Sequence, residues 1–323
     1  MGNMDIEVLN VQQACCLVLG GKGLIGSHVV RALVTLGHRV RVLDRAGQAL
    51  AAVSGLEDHV EFIDGDFSDG ETVRAALSGC QYCFHFISTT GPKSSNEDPA
   101  FDVDSNIIGT IKLLDIARQE RISKVIFVSS GGTVYGSPKY TPIDEAHPTD
   151  PSCSYGITKL AIEKYLHLYR TLYGLDYVVL RTSNPFGEWQ RTHAAQGAIA
   201  VFLGRALRDE PAEIWGDGSV VRDYVYIGDV VDAAIAAMTY RGEERVMNVG
   251  SGFPTSLLQV LDSIDAVTGK RIERCFMPGR GFDVPVSVLS IERAKRELGW
   301  SPKTSFQDGL TRMLDWQKKH PNY

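Results

Sequence analysis

The chain lacks the marks of a membrane, nucleic-acid-binding or disulfide-stapled protein. None of its apolar runs approaches the roughly 20 residues that a bilayer span needs. Lys and Arg total 33 against 39 Asp and Glu, a formal net charge of −6, with no basic block, which argues against nucleic acid as a main partner. Cysteine is sparse: Cys15, Cys16, Cys80, Cys83, Cys153 and Cys275 are the only six in 323 residues. Such usage suggests buried thiols in a reducing compartment, and the cytoplasm is the expected location. Cys80 and Cys83 form a C-x-x-C, but no second pair stands at zinc spacing, so no metal site is expected. A leader is not expected either. The apolar run 14–19 is too short and wrongly flanked for a signal peptide, and Ile6 stands where a myristoylation motif needs Ser or Thr. What remains is 44% hydrophobic and 22% charged, an ordinary globular composition with enough chain for a large core.

Apolar runs of strand length at 15–19, 40–43, 60–63, 82–87, 125–129 and 177–180 alternate with segments of helical period at 24–36, 71–77, 100–119 and 154–172. Continuous apolar strands separated by helices imply an α/β fold, a Rossmann-type doubly wound parallel sheet covered on both faces. The second half changes character. Short strands at 213–215, 224–227, 246–249 and 271–275 mix with helices and Gly/Pro-rich turns, and Ser256 with Gln259 reads as a capping box opening a helix to 267. No linker separates the halves, so a smaller mixed α/β C-terminal lobe is expected to fold against the sheet with a cleft between them.

Directly after the first strand comes Gly20-Gly21-Lys22-Gly23-Leu24-Ile25-Gly26. Glycines at 20, 23 and 26, between a strand and an amphipathic helix, let backbone N–H groups and a helix N-terminus meet a pyrophosphate. Asp44 closes the second strand, where a carboxylate accepts hydrogen bonds from an adenosine ribose and repels a 2′-phosphate. Arg45 beside it can serve a phosphate, so NAD is preferred over NADP. Asp64-Gly65-Asp66-Phe67 follows the third strand. It lacks the Gly position and closing Glu of a calcium loop, and a contact of Asp66 with the adenine amine is the favoured reading. Residues 1–183 are thus assigned to an NAD-binding domain, with parts of 220–250 returning to it, and 184–323 to a substrate lobe.

Tyr155 and Lys159 are spaced i, i+4 on one helix face. An ammonium near a phenol favours phenolate and lowers a pKa that is about 10 when unperturbed. A Ser129-Ser130-Gly131-Gly132-Thr133-Val134-Tyr135-Gly136 segment ends a strand of the parallel sheet, on the side where open α/β sheets gather active-site groups. With Arg181-Thr182-Ser183-Asn184-Pro185-Phe186-Gly187 and Val221-Arg222-Asp223-Tyr224-Val225, these motifs resemble, over nearly the whole chain, the extended short-chain dehydrogenases/reductases, and within them the UDP-galactose 4-epimerase group.

The resemblance implies an NAD-dependent epimerase of nucleotide sugars. Leu24 and Ile25 would line the dinucleotide, as would Phe67 beside Asp66. Phe86, Ile87, Ser88 and Thr90 would sit against its ribose and nicotinamide, with Ser105, Ser129 and Ser183 nearby. Tyr155 would be the base and acid, and Lys159 would bind the nicotinamide ribose. Asn184 and the segment 196–202, with Gln196, would line the sugar-nucleotide cleft. Trp215 would stack on uracil, and Arg222 and Arg280 would bind the diphosphate, for which a planar guanidinium is suited. Asp283 and Ser287 fall at the substrate mouth. Ser287 matches the gatekeeper position at which a bulky Tyr restricts relatives to plain hexoses, so 2-acetamido sugars are expected as possible substrates.

Two departures stand out. The family's catalytic Ser/Thr falls on Gly131, leaving Thr133 as the nearest hydroxyl, and a lysine near the nicotinamide is replaced by Thr90. Nucleotide-sugar 4,6-dehydratases need an acid in the segment where this chain has Gly131-Gly132-Thr133. A 4-keto-sugar reductase using NADPH is disfavoured by Asp44. A non-catalytic NAD-binding sensor is disfavoured by the retention of Tyr155 and Lys159. His85 is read as packed on a strand, His193 as a loop residue near substrate, and Glu163 as facing solvent or a partner. The many apolar residues on the helix 101–117, together with helix 154–172, imply a homodimer through a four-helix contact.

Overall fold

The computed structural model describes residues 13–47, 51–192, 197–279 and 284–321. Thirteen strands and eleven α-helices are described: β1 (Cys15–Leu19), α1 (Leu24–Thr35), β2 (Arg39–Asp44), β3 (Val60–Asp64), α2 (Gly70–Leu77), β4 (Tyr82–His85), α3 (Ser94–Glu97), α4 (Pro99–Asp102), α5 (Gly109–Gln119), β5 (Lys124–Ser130), α6 (Ser154–Tyr173), β6 (Asp176–Thr182) and β7 (Asn184–Phe186). They continue as α7 (Ala198–Leu207), β8 (Ala212–Trp215), β9 (Val221–Tyr226), α8 (Ile227–Thr239), β10 (Val246–Val249), β11 (Pro254–Ser256), α9 (Leu257–Thr268), β12 (Arg274–Met277), β13 (Val286–Ser287), α10 (Glu292–Leu298) and α11 (Phe306–Lys319).

Seven strands form a parallel sheet in the order β10-β6-β5-β4-β1-β2-β3. The period of two along each strand builds two cores from one sequence. In β1, Cys16 and Val18 point to the layer of α1 and α8, while Cys15, Leu17 and Leu19 point to that of α2, α5 and α6. The chain runs outward from β1 to β3, then restarts on the other side at β4. This places a crevice outside the carboxyl ends of β1 and β4, where open α/β sheets hold ligands. Beyond the sheet, β11, β9 and β13 pair in that order with β7 also on β9, and β8 pairs with β12. The capping box of Ser256 and Gln259 is present at α9.

Several boundaries differ from the sequence reading. β4 stops at His85, and beyond Phe86 the chain leaves the ladder, with the Thr89 N–H donating to Asn106 Oδ1 at 3.1 Å. Ile227 opens α8 instead of closing β9, and β12 begins at Arg274. The helix expected over 100–119 is interrupted by a π-helical stretch, Val103–Ile108. The expanded turns leave Asp102 and Asn106 both buried and facing the loop after β4.

Candidate active site

The glycine loop closes on itself. Gly23 N–H donates to Gly20 C=O at 3.1 Å, and a Cβ at Gly26 would lie 2.1 Å from that same carbonyl oxygen. Only glycine permits this contact, and the result is a side-chain-free cradle opening onto the N-terminus of α1. Leu24 and Ile25 begin that helix, both half-buried. Asp44 Oδ2 accepts the Lys22 N–H at 2.9 Å and Oδ1 the Arg45 N–H at 2.9 Å, so the loop itself anchors the carboxylate. The Lys22 ammonium lies 2.6 Å from Asp64 and is neutralised there, while Arg45 projects into solvent. The surroundings suit an unphosphorylated ribose. Asp66 is exposed, and its hydrogen bonds with Ser68 hold its carboxyl below the usual range. The Phe67 ring is buried 5.1 Å from that of His85 and against Gly109, which leaves its backbone for a cofactor contact.

The loop after β4 is held from beneath. Asn106 Nδ2 donates to Thr89 Oγ1 at 2.8 Å, the Thr89 and Ser105 hydroxyls lie 2.6 Å apart, and Thr90 Oγ1 donates to Asp102. Ser88 Oγ donates to the Thr90 carbonyl, and Ile87 packs against Gly20, bringing this loop to the glycine cradle.

Tyr155 and Lys159 share one face of α6, with the Lys159 Nζ 5.6 Å from the phenol ring centroid. The ammonium donates to the Val128 carbonyl at 3.1 Å and lies 4.8 Å from the Phe127 ring centroid. Burial pushes Lys159 down to about 8, against an opposing pull from Asp102 and Glu163. Burial likewise pushes the Tyr155 phenol up to about 12, with Cys153 and Asp102 adding to the rise. The expected acidification of the phenol by the lysine is therefore reversed in the protein alone. Desolvation is the largest cause, and the neighbouring Cys153 and Asp102 reinforce it instead of opposing it.

Glu163 also differs from expectation. It is buried, its Oε2 is 2.6 Å from Arg181 Nη2, and its Oε1 accepts the Ser129 hydroxyl at 2.6 Å. Ser129 therefore turns its hydroxyl to Glu163, leaving its backbone for any cofactor contact. At Gly131 an added Cβ would meet Leu289 Cδ1 at 2.5 Å and the Arg181 carbonyl at 3.0 Å, so a hydroxyl side chain there would have to displace Leu289. Thr133 Oγ1, two residues on, is buried with no hydrogen-bond partner among the described residues, which suits a group awaiting a substrate. His85 is packed as expected, with Nε2 2.9 Å from Thr110 Oγ1, and burial pushes it down to about 3.

A cavity of about 370 Å³ is lined by Asn184, Phe202, Trp215, Arg222 and Tyr224 among others. Asn184 Nδ2 donates to the Asp223 carbonyl at 2.9 Å, and Ser183 Oγ to the Asp223 carboxylate at 3.2 Å. Ser287 is buried on β13, in register with Arg222 of β9. Gln196, Arg280, Asp283 and His193 lie outside the described residues. Three residues escaped the sequence reading. Gln190 lines the cavity with its Oε1 buried and unpartnered among the described residues. Asp102 and Asn106 are a buried polar pair at i, i+4 in an apolar helix, a pattern that could have been noticed as a signal.

The fold and this arrangement define a dinucleotide-binding enzyme of the extended short-chain dehydrogenase/reductase type. Residues 16–250 match the model of the NAD dependent epimerase/dehydratase family, and the chain belongs to that family. The UDP-glucose 4-epimerase of Thermotoga maritima, solved with UDP-glucose, is 36% identical over 95% of this chain and 100% of its own, with a TM-score of 0.91. That of Thermus thermophilus, solved with NAD, is 35% identical over 94% of this chain and 99% of its own, with a TM-score of 0.86. A UDP-N-acetylglucosamine 4-epimerase from Methanobrevibacter ruminantium, solved with UDP-N-acetylmuramic acid, is 27% identical over 95% and 99%, with a TM-score of 0.90.

Proposed function

We propose that this protein is an NAD-dependent 4-epimerase of UDP-hexoses, acting on UDP-glucose/UDP-galactose and, through Ser287, on their 2-acetamido counterparts. The observation that carries the reading is the buried Lys159 with its Nζ 5.6 Å from the ring centroid of the half-buried Tyr155 on α6, together with a glycine turn after β1 in which Gly26 has no room for a Cβ. When bound, oxidised NAD supplies a reversible hydride acceptor and a positive charge that offsets the effect of burial on the Tyr155 proton. Tyr155 removes the proton of the sugar C4 hydroxyl and later returns it. Lys159 holds the nicotinamide ribose, and Thr133 offers its unpartnered hydroxyl to the sugar. Arg222, with Arg280, retains the diphosphate while the 4-keto sugar turns its other face. Trp215 and Asn184 line the nucleotide end of the cleft, with 184–323 as the substrate lobe.

Incubation with a panel of nucleotide sugars, with products identified by NMR, tests the reading. Inversion at C4 is expected, and Tyr155→Phe should lower turnover by about 10²–10⁴-fold, the usual span of acid–base assistance. Near-normal turnover in that variant removes Tyr155 from the mechanism. A homodimer is part of the same reading. Exposed Phe101, Val103, Ile108, Ile157, Leu168 and Leu172 lie on the helical stretch 99–119 and on α6, and a monomeric mass in light scattering would refute it. Among the described residues no helix is long and apolar enough to cross a membrane, and all six cysteines are free, which suits the cytoplasm.

A further inference from the structure

The start of α6, which carries Tyr155, has no side-chain cap of its own: Cys153 stands at the N-cap position without a capping hydrogen bond. Helix N-terminal N–H groups must find partners elsewhere. Here α3 supplies them, with Asn96 Oδ1 accepting the Ser154 N–H at 2.9 Å and Ser95 Oγ the Tyr155 N–H at 3.0 Å. The adjacent Asp102, at the end of α4, is 0% exposed. Its Oδ2 accepts the hydroxyls of Ser154 and Thr158, each at 2.7 Å, and these residues flank Tyr155 and Lys159 on α6. Its Oδ1 accepts Asn106 Nδ2 at 3.0 Å and the Thr90 hydroxyl from the loop after β4. One carboxylate thus joins the tyrosine helix, the π-helical stretch and the nicotinamide-side loop, and all four of these donors are neutral. None of these donors is a cation, so no ion pair cancels the field of this carboxyl group on its neighbours, and screening in the interior is weak.

We propose that Asp102 is a positioning residue for proton transfer: it clasps the Tyr155 turn of α6 to the Thr89–Thr90 loop and sets a fixed negative charge beside Tyr155 and Lys159. This rests on the epimerase reading and deepens it. The other charged or titratable groups facing the pair are few. Glu163 on α6 is committed to Arg181 of β6, His85 on β4 is held neutral by burial, and Cys153 precedes Tyr155. Asp102 acts on both members in the same direction, holding the proton on the phenol and on the lysine alike. Removing its charge should move both ionisations to lower pH together, a signature that loss of packing alone does not produce.

The test is Asp102→Asn in the full-length, NAD-loaded enzyme. Turnover is expected to fall about tenfold or more, with KM for the nucleotide sugar changed by less than about threefold. The pH profile of kcat should move to lower pH by about 1 unit. A turnover-independent readout is the ultraviolet absorbance of the Tyr155 phenolate, isolated by subtracting a Tyr155→Phe background; its midpoint should fall by a similar amount. Asp102→Glu should restore the profile. An unshifted phenolate midpoint in folded Asp102→Asn overturns the proposal, whatever happens to kcat. If Asp102→Asn does not fold, Thr158→Val serves instead: lower kcat rescued by Thr158→Ser supports the clasp, and wild-type kcat in Thr158→Val overturns it. A wild-type enzyme that converts no nucleotide sugar would sink the epimerase reading, while the phenolate titration still decides the role of Asp102.

Discussion

Gly131→Ser should destabilise the protein through one neighbour, Leu289. The added Cβ would lie 2.5 Å and 3.3 Å from the two Leu289 methyls and 3.0 Å from the Arg181 carbonyl oxygen. Carbon pairs are comfortable near 3.5–4.0 Å, so the shortfall at the closer methyl is roughly 1 Å. Leu289 has little freedom to retreat, being 1% exposed, with its own N–H donated to Asp223 Oδ2 at 3.2 Å. Overpacking of this kind costs about 1–3 kcal/mol. Leu289→Ala alone should cost about 2–5 kcal/mol through the cavity it leaves. Combined, the two should cost less than their sum by about 1–2 kcal/mol, because the serine then occupies the vacated space. Urea unfolding of the four proteins, at one fixed NAD concentration since bound ligand shifts apparent stability, measures the cycle. Strict additivity, or a Gly131→Ser protein as stable as wild type, would show that Leu289 does not bar a hydroxyl side chain from this position.

The remaining predictions concern charge and substrate. Glu163→Ala leaves Arg181 buried without its carboxylate and should cost about 3–5 kcal/mol in the same unfolding assay; a loss below about 1 kcal/mol would mean that the pair is not buried as described. Lys159 binds its proton less tightly in the fold, at about 8, than in the unfolded chain, at 10.5. Between those values the unfolded state holds more protons, so this group's contribution to stability grows as pH rises and is lost as pH falls through about 8, a span on the order of 3 kcal/mol. Lys159→Met should therefore abolish turnover yet unfold at higher urea than wild type at pH 7, with the difference shrinking toward pH 10; parallel stability curves would refute the assignment. Ser287→Tyr should lower kcat/KM for UDP-N-acetylglucosamine at least tenfold relative to UDP-glucose, since the residue is buried beside Arg222, and an unchanged ratio would remove Ser287 from substrate selection.

The order of elements in the first half is a local property, legible in the sequence by itself. Apolar runs such as Cys15–Leu19, flanked by helical periods, can be satisfied only by a sheet buried on both faces, and the glycine spacing after β1 states its own steric demand. The pairing of Tyr155 with Lys159 follows from helix geometry alone. Tertiary structure decided everything that depends on which groups share an interior. Glu163 looks like a solvated helix residue until β6 brings Arg181 beneath it. Tyr155 looks acidified until burial, with Asp102 and Cys153 beside it, holds its proton on. Asp102 is one acid among 39 Asp and Glu in the sequence, and becomes a hub only when α6, the π-helical stretch and the loop after β4 converge on it. Desolvation and hydrogen bonding act between residues remote in the chain, and no spacing along the chain encodes their balance.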